Sequence, residues 1–123
     1  MKKLISITLI LILNSCIPFK ENGIDFEIEN NSDSAIEHVK FTTSENLTFM
    51  EFDKIEPNKS VGDFLSMKNN KSDGSYVLEF TRPNGKKELL VYGYYTNGGA
   101  LDRWVEYEIK NDIVTWKFSG TGY

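Results

Sequence analysis

The chain holds one cysteine, Cys16, and one histidine, His38, so nucleophilic and metal chemistry have few residues to draw on. A metal site built from His and Cys needs three or four ligands. A Ser-His-Asp arrangement would have to use His38, and the pattern around it is that of a strand, without a strand–turn–helix elbow to present a serine. We therefore expect no catalytic residues, no metal and no cofactor, and we interpret His38 as an exposed strand residue.

Carboxylates are the other reactive groups, because the chain has 18 acidic residues. Glycoside hydrolysis uses two carboxylates that flank a cleft. Glu106 and Glu108 share one strand face, about 7 Å apart, but a small domain offers little depth for a cleft, so we expect a solvated acidic face. Asp33, Asp73 and Asp112 lie in polar turns that could gather oxygen ligands for calcium, although no Asp-x-Asp-x-Asp-Gly loop is present. The sequence thus favours a protein that is not an enzyme.

Aromatic residues are dense in the second half of the chain. One set of these aromatic residues, at predicted strand positions, comprises Tyr92, Tyr94, Trp104 and Trp116. Tyr95 and Tyr107 have the opposite parity, so if one set faces the core, part of the other must face solvent. Exposed aromatic residues stack on sugar rings or anchor a protein partner, whereas the simpler interpretation is cross-strand pairing. We keep the first four as candidate contacts to an envelope protein or a glycan.

The start of the chain has the pattern of a secretory signal. Lys2 and Lys3 precede an apolar run of ten residues, 4–13, and Asn14-Ser15-Cys16 follows it. The run falls within the apolar region of about 7–15 residues that such signals have. As a helix it would cover roughly 15 Å, half of a bilayer core of about 30 Å. The pattern therefore predicts a cleaved signal peptide rather than a transmembrane helix.

Leu13-Asn14-Ser15-Cys16 resembles the lipobox of bacterial lipoproteins. The resemblance implies that the Cys16 thiol receives a diacylglyceryl group, that the signal is cut just before Cys16, and that the new amino group is often acylated. Two or more acyl chains satisfy the physical requirement for stable attachment to a membrane. By the sorting pattern of Gram-negative lipoproteins, Ile17 implies the outer membrane of the bacterial envelope, on either its periplasmic or its outer side.

The expected domain organisation follows from that cleavage. Residues 1–15 are the signal peptide, residues 16–23 are the lipidated cysteine and a tether, and residues 24–123 form one domain. The cut leaves 108 residues (123 minus 15) with 12 basic and 18 acidic side chains, a net charge of −6. An acidic domain without a basic cluster is a poor partner for nucleic acid. The expected partner is a membrane, reached through the lipid on Cys16.

From residue 24 onward apolar residues recur with a period of two, which is typical of half-buried strands. Alternation breaks between Ile36 and Val39, which predicts a bulge near Glu37-His38. Eight strands are predicted, over residues 24–29, 35–43, 47–52, 60–67, 75–82, 87–95, 101–110 and 113–119. Their spacing predicts an all-β fold, a small antiparallel β-sandwich of immunoglobulin-like type, with a small closed β-barrel as the alternative.

Turn chemistry joins these strands. Glu56-Pro57-Asn58-Lys59 predicts a type I turn with proline at its second position. Asn84-Gly85 is the strongest short hairpin signal in the chain, and residues 96–99 form another turn. Asp33-Ser34-Ala35 resembles the O-glycosylation site of Bacteroidetes-type bacteria, which implies Ser34 as a candidate glycan acceptor.

The sequence names no ligand. We interpret the protein as a lipid-anchored envelope lipoprotein that acts as a non-catalytic binding or structural module. An inhibitor or immunity lipoprotein is an alternative, in which a loop such as residues 68–74 or 96–99 enters a lysozyme or a toxin. A carbohydrate-binding module that uses the exposed aromatic residues is a further alternative.

Overall fold

The computed structural model describes residues 21–120, which fold into nine strands without a helix in that range. The strands are β1 (Gly23–Asn30), β2 (Ile36–Thr43), β3 (Phe49–Ile55), β4 (Lys59–Ser66), β5 (Gly74–Thr81), β6 (Lys87–Thr96), β7 (Gly99–Ala100), β8 (Trp104–Ile109) and β9 (Val114–Phe118). The predicted all-β class is confirmed. The strand that was not predicted, β7, has two residues: the last residue of the predicted turn 96–99 and the residue before the predicted strand 101–110.

Two separate sheets pack face to face within the described range. The four-stranded sheet has the order β4-β1-β8-β9, and the five-stranded sheet has the order β3-β2-β5-β6-β7. The predicted small β-sandwich is therefore confirmed. It is not purely antiparallel, because β1 and β8 pair in parallel, with Ile28 opposite Tyr107. Strands β1 and β8 form the centre of their sheet, so residues distant in sequence build half of the core.

Aromatic rings join the inner faces of the two sheets. Phe26 from β1 and Phe41 from β2 pack with their ring centroids 4.5 Å apart. Phe41 also stacks on Tyr76 and meets Tyr107 edge to face, at centroid distances of 6.2 and 5.9 Å. All four side chains are buried. Burying an aromatic side chain of this size stabilises a fold by about 1.5–3 kcal/mol, so this group is a large part of the driving force for the sandwich.

The bulge predicted near Glu37-His38 is confirmed. Between Glu37 and Lys40 the register of β2 against β5 shifts, so that two residues of β2 lie opposite Phe80 of β5. His38 has a φ of +51°, in the left-handed region. The extra residue restores the alternation, so that both Ile36 and Val39 point into the core. The side chain of His38 is exposed.

The turn predicted for residues 56–59 forms, but the predicted type I is wrong and the turn is of type II. Asn58, at the third position, has a φ of +61°, which a type II turn requires and a type I turn does not have. The Asn58 N–H donates to the Asn30 carbonyl at 2.7 Å, and this bond orients the central peptide of the turn. Asparagine adopts positive φ more readily than most residues, so the turn tolerates this orientation.

The two Asn-Gly pairs make different hairpins. In the β5–β6 connection only Gly85 has a positive φ, +81°, and its N–H donates to the Arg82 carbonyl at 2.9 Å. That is a longer loop closed by a left-handed glycine. Asn97 and Gly98 both have positive φ, +49° and +75°, as a two-residue type I′ turn requires. Both turns were predicted, but the tighter hairpin lies between β6 and β7.

Two buried tyrosines differ in how their hydroxyl groups are satisfied. Tyr95 donates its hydroxyl to a Glu45 carboxylate oxygen at 2.8 Å. The Tyr107 hydroxyl is equally buried but meets no hydrogen-bond partner among the described residues. Burial, with Tyr76 nearby, raises the pKa of Tyr107, so its hydroxyl stays neutral. An unsatisfied buried hydroxyl costs free energy that its removal would recover.

We therefore predict that Tyr107→Phe raises the free energy of unfolding by about 1 kcal/mol, because the change removes an unpaired polar atom and keeps the ring. Tyr95→Phe is the matched control and lowers the free energy of unfolding, because it removes one of the hydrogen bonds that the Glu45 carboxylate accepts. Urea unfolding of both variants measures the two effects. Equal destabilisation by both substitutions would contradict this account of the core.

Candidate functional site

One side of the sandwich ends in two strands that belong to different sheets. Strand β6 pairs with β5 on one side; on the other, within the described range, it pairs only with β7, at Tyr95 and Thr96. Strand β9 pairs with β8 and with no other described strand. We call this side, formed by β6 and β9, the aromatic edge.

Tyr92 of β6 and Trp116 of β9 stack across the gap between the two sheets. Their ring centroids lie 3.6 Å apart with an angle of 23° between the planes. Tyr92 is 40% exposed and Trp116 is 39% exposed. The structure thus brings together two of the four candidate aromatic residues. Each ring covers one face of the other, so each offers one remaining face to a ligand.

The other two candidate aromatic residues lie apart from this stack. Tyr94 is exposed, and its hydroxyl donates to an Asp73 carboxylate oxygen at 3.1 Å. Trp104 is half-buried on the outer face of the four-stranded sheet, beside Asp25, with the Lys117 ammonium 5.9 Å from its ring centroid.

Tyr95 and Tyr107, in contrast, are both in the core. The prediction that one aromatic set faces inward while part of the other faces solvent is confirmed.

A second bulge, at Gly93, sets which tyrosines face outward. The register of β5 against β6 shifts between Gly74 and Tyr76, and Gly93 has a φ of +79°. The shift changes the parity of β6, so that Tyr95 rather than Tyr94 enters the core. A Cβ at Gly93 would lie 2.6 Å from a ring carbon of Phe118, so only glycine fits there.

Apolar side chains extend the aromatic edge onto the outer face of the five-stranded sheet. Leu89 and Val91 of β6 are 63% and 51% exposed. Val91 lies opposite Val77 of β5, which continues a cross-strand row through Thr42 of β2 to the exposed Phe49 of β3. Val77 and Thr42 are themselves buried, so the exposed apolar side chains of this row are those at its ends, Val91 and Phe49.

The carboxylates that were considered for catalysis lie on an open face. In the parallel pairing Glu106 lies opposite Glu27, and Glu108 lies opposite Glu29. Glu108 also forms an ion pair with Lys110 at 3.3 Å. These side chains point outward from the four-stranded sheet, over a shallow groove of about 340 Å³. The arrangement is that of a solvated acidic face.

The turn aspartates considered for calcium have other partners or lie far apart. Asp33, in the β1–β2 turn, exchanges two hydrogen bonds of 2.8 Å with Asn111 of the β8–β9 turn. Asp73 lies at the opposite end of the sandwich, where it binds the β6–β7 turn. Among residues 21–120, no group of three or more His, Cys, Asp or Glu side chains is arranged to hold a metal ion.

Two carboxylates fasten the loops at the end of the sandwich where β1 begins. Glu45 accepts hydrogen bonds from the Lys71 and Ser72 N–H groups at 3.1 Å, and from Asn70 and Tyr95 at 2.9 and 2.8 Å. Partial desolvation raises the pKa of Glu45, but these four hydrogen bonds outweigh it and hold the pKa below its ordinary value.

Asp73 fastens the neighbouring turn in the same way. It accepts hydrogen bonds from the Asn97 N–H, the Thr96 hydroxyl and the Tyr94 hydroxyl, which lower its pKa. The two loops proposed as inhibitory elements, residues 68–74 and 96–99, are therefore held together by Asp73, while Glu45 holds the first of them to Tyr95. Sequence reasoning missed Glu45, and the only signal for Asp73 was its position before Gly74 in a turn.

Two predicted modification sites remain. Ser34 is exposed in the β1–β2 turn, where its carbonyl accepts bonds from Asn30 and Ser32. Cys16 lies outside the described residues. Within residues 21–120, there is no helix with the length and hydropathy needed to cross a membrane.

The fold is similar to that of a protein from Eubacterium rectale whose structure was determined by NMR, with a TM-score of 0.51 and 11% sequence identity. The similarity covers 80% of this chain and 89% of that chain. At this identity the likeness concerns the fold alone. No family model matches the sequence, and no curated protein matches it.

We predict that acid weakens the fold through Glu45 and Asp73. Because the folded state lowers both pKa values, their contribution is present above the unfolded pKa and is lost as pH falls through the folded pKa. The free energy of unfolding should therefore decrease as pH falls from about 6 to about 3. Glu45→Gln should lower stability at pH 7 and flatten this dependence.

Glu51→Gln is the matched control for the pH series, because the Glu51 side chain is exposed and makes no hydrogen bond or ion pair to a described residue. Urea unfolding at several pH values measures all three proteins. A Glu45→Gln curve that parallels the wild-type curve would show that the carboxylate does not fasten the loops.

Gly93→Ala tests the geometry of the aromatic edge. The substitution combines a positive φ with a clash against Phe118 and Tyr76, and we expect it to lower the free energy of unfolding by about 3 kcal/mol. Gly85→Ala has a similar φ but open space around its Cβ, so it should cost only about 1 kcal/mol. Thermal unfolding of both variants gives the difference, and equal costs would mean that Gly93 is not packed as described.

Proposed function

We propose that this protein is a lipid-anchored lipoprotein of the bacterial envelope, and that its β-sandwich is a non-catalytic binding module whose contact surface is the aromatic edge. The observation that carries the binding role is the exposed group on β6 and β9: Leu89, Val91, Tyr92 and Trp116. The anchor is supported by the lipobox pattern that ends at Cys16.

The length of the tether supports an orientation of the domain on the membrane. Gly23, where β1 begins, is seven residues after Cys16. Seven extended residues span at most roughly 25 Å, so the end of the sandwich where β1 begins lies close to the membrane. Strands β6 and β9 both end near that end of the sandwich and begin at the opposite one, which leaves the first residues of each strand within reach of a partner.

The same orientation weighs against the inhibitor alternative in the form considered from the sequence. Loops 68–74 and 96–99 lie at the end of the sandwich that the tether holds toward the membrane. Asp73 fastens them to each other, and Glu45 holds the first loop to Tyr95. A loop that enters the active site of a lysozyme or a toxin has to project freely. The loops therefore serve better as a rigid base for the domain than as an inhibitory probe.

A protein partner fits the aromatic edge better than a glycan does. Tyr92 and Trp116 cover each other, so a sugar ring could stack on only one face of each ring. The neighbouring Leu89 and Val91 offer apolar contact without hydrogen-bonding groups for sugar hydroxyls. Apolar and aromatic residues together are typical of the centre of protein interfaces.

Mass spectrometry of the protein purified from its native envelope tests the anchor. We expect residues 1–15 to be absent and the Cys16 residue to carry the mass of two or three acyl chains. Cys16→Ala should remain uncleaved and unacylated, and it should lose the lipid-dependent attachment to membranes. Ser15→Gly is the matched control, because it keeps a small residue before the cysteine and should be processed like the wild type.

An intact leader with no acyl mass on the wild-type cysteine would contradict the anchor. The binding role of the aromatic edge would be contradicted if the acylated variants Trp116→Ala and Leu89→Asp bound every envelope partner as the wild type does. These two results are independent of each other, so either half of the proposal can fail alone.

A further inference from the structure

The backbone of β6 has unused hydrogen-bonding groups on its outer side. In an antiparallel ladder, opposite residues alternate between hydrogen-bonded and non-bonded pairs. The Arg82 N–H donates to the Lys86 carbonyl at 2.8 Å, so these two residues form a hydrogen-bonded pair. Counting along the ladder from that pair, Leu90 is bonded to Leu78, whereas Leu89 and Val91 lie in non-bonded pairs. The N–H and C=O groups of Leu89 and Val91 therefore point away from β5.

No other described strand meets these groups. Strand β7 pairs with β6 only at its last two residues, Tyr95 and Thr96. Between Lys87 and the bulge at Gly93, β6 presents residues 88–92 as an open edge that contains no proline. Proteins usually block such edges with charges, proline or a covering segment, because an open edge accepts a further strand. In β6 the charged residues lie at the start of the strand and the bulge lies at Gly93, so neither covers the stretch between them.

The side chains of Leu89 and Val91 along this edge are exposed and apolar. Val91 ends the row that starts at Phe49 and crosses Thr42 and Val77, and Leu89 is the most exposed large apolar residue in the described range. A strand added beside β6 would extend that row by one position and cover Leu89. Main-chain bonds would supply affinity, while the alternating side chains would supply specificity.

Charge indicates the chemistry of the added strand. Lys86 and Lys87 form the only adjacent basic pair after the leader, and they stand where β6 begins, in a domain whose net charge is −6 without the leader. Lys86 forms an ion pair with Glu88 at 3.4 Å, whereas Lys87 has no ion pair with a described residue. An acidic residue on an incoming strand would therefore pair with Lys87.

A second copy of this chain fits the same edge less well. If two β6 strands paired antiparallel about Leu89, each Lys87 would lie opposite Val91 of the other copy. That pairing leaves Lys87 without an acidic neighbour. The charge pattern thus favours a different partner over self-association.

We propose that β6 accepts an extended peptide segment of another envelope protein as an added antiparallel strand, with apolar residues beside Leu89 and Val91 and an acidic residue beside Lys87. In the antiparallel direction the acidic residue lies near the C-terminal end of the segment. The inference rests on the proposed binding role and names its partner class. It does not depend on the acyl chains of Cys16.

Peptide binding to the full-length protein tests the proposal. The probe is the blocked peptide Thr-Val-Thr-Val-Thr-Asp-Asp, and calorimetry measures its affinity. Two further versions carry N-methyl groups on one or the other alternate set of backbone amides. Only one set faces β6, so we expect one methylated version to bind at least about tenfold more weakly than the other. Equal affinities of the two versions, or no binding at millimolar peptide, would overturn the proposal.

Leu89→Pro tests the same contact from the side of the protein. The substitution removes an N–H that points outward and is not used within the sheet, as proline does in natural edge strands. We expect the fold to be retained and peptide affinity to fall at least about tenfold. Leu89→Thr is the matched control, because it keeps the N–H and should lose less affinity than the proline variant.

If Leu89→Pro does not fold, the methylated peptides decide the question alone. Dimerisation of the wild-type protein that Leu89→Pro abolishes would overturn the proposal, since β6 would then be covered by a second copy. If the protein from the native envelope is unacylated but binds the peptide, the proposed membrane location fails and this inference stands. If that protein is acylated but does not bind the peptide, this inference fails and the proposed location stands.

Discussion

The need to bury the inner faces of two sheets governs this structure, and the contact between Phe26 and Phe41 joins the two sheets within the core. Each ring comes from the centre of its own sheet, and Tyr76 and Tyr107 complete the group. These rings fill the space between the two sheets. Function in such a domain falls to the outer faces, the edges and the loops.

Two bulges change which side chains of β2 and β6 face the core. The one at His38 lets β2 bury both Ile36 and Val39, and the one at Gly93 sends Tyr95 inward while Tyr92 stays near the surface. The second bulge also ends the regular part of β6. The position of Tyr94 at the surface is therefore a consequence of how β6 is built, since a regular strand would have placed Tyr94 in the core.

Local features of the sequence were sufficient to predict much of the fold. The alternation of β1 and β5 predicted their buried faces, and the break between Ile36 and Val39 predicted the first bulge. Strand β7 was missed because two small residues, Gly99 and Ala100, carry no apolar period. The turn at Asn58 was given the wrong type because a backbone bond from a distant strand orients it.

The pairing of distant segments was beyond reach of the sequence alone. The parallel contact of β1 with β8 and the stack of Tyr92 on Trp116 both depend on how the two sheets are assembled. Parity arguments placed part of the aromatic set at the surface, but they could not say which rings meet. Likewise, Glu45 has no sequence signature, because its four donors come from loops and a strand that only the fold brings together.

The open edge of β6 is the feature on which the proposed binding role depends most directly. Amide hydrogen exchange, measured by NMR on dilute, isotopically labelled full-length protein, tests whether this edge is open. The account predicts that the Leu89 and Val91 amides exchange much faster than those of Glu88 and Leu90, which bond to β5. Strong and equal protection of all four amides at low protein concentration would mean that the edge is already covered, and it would contradict the account.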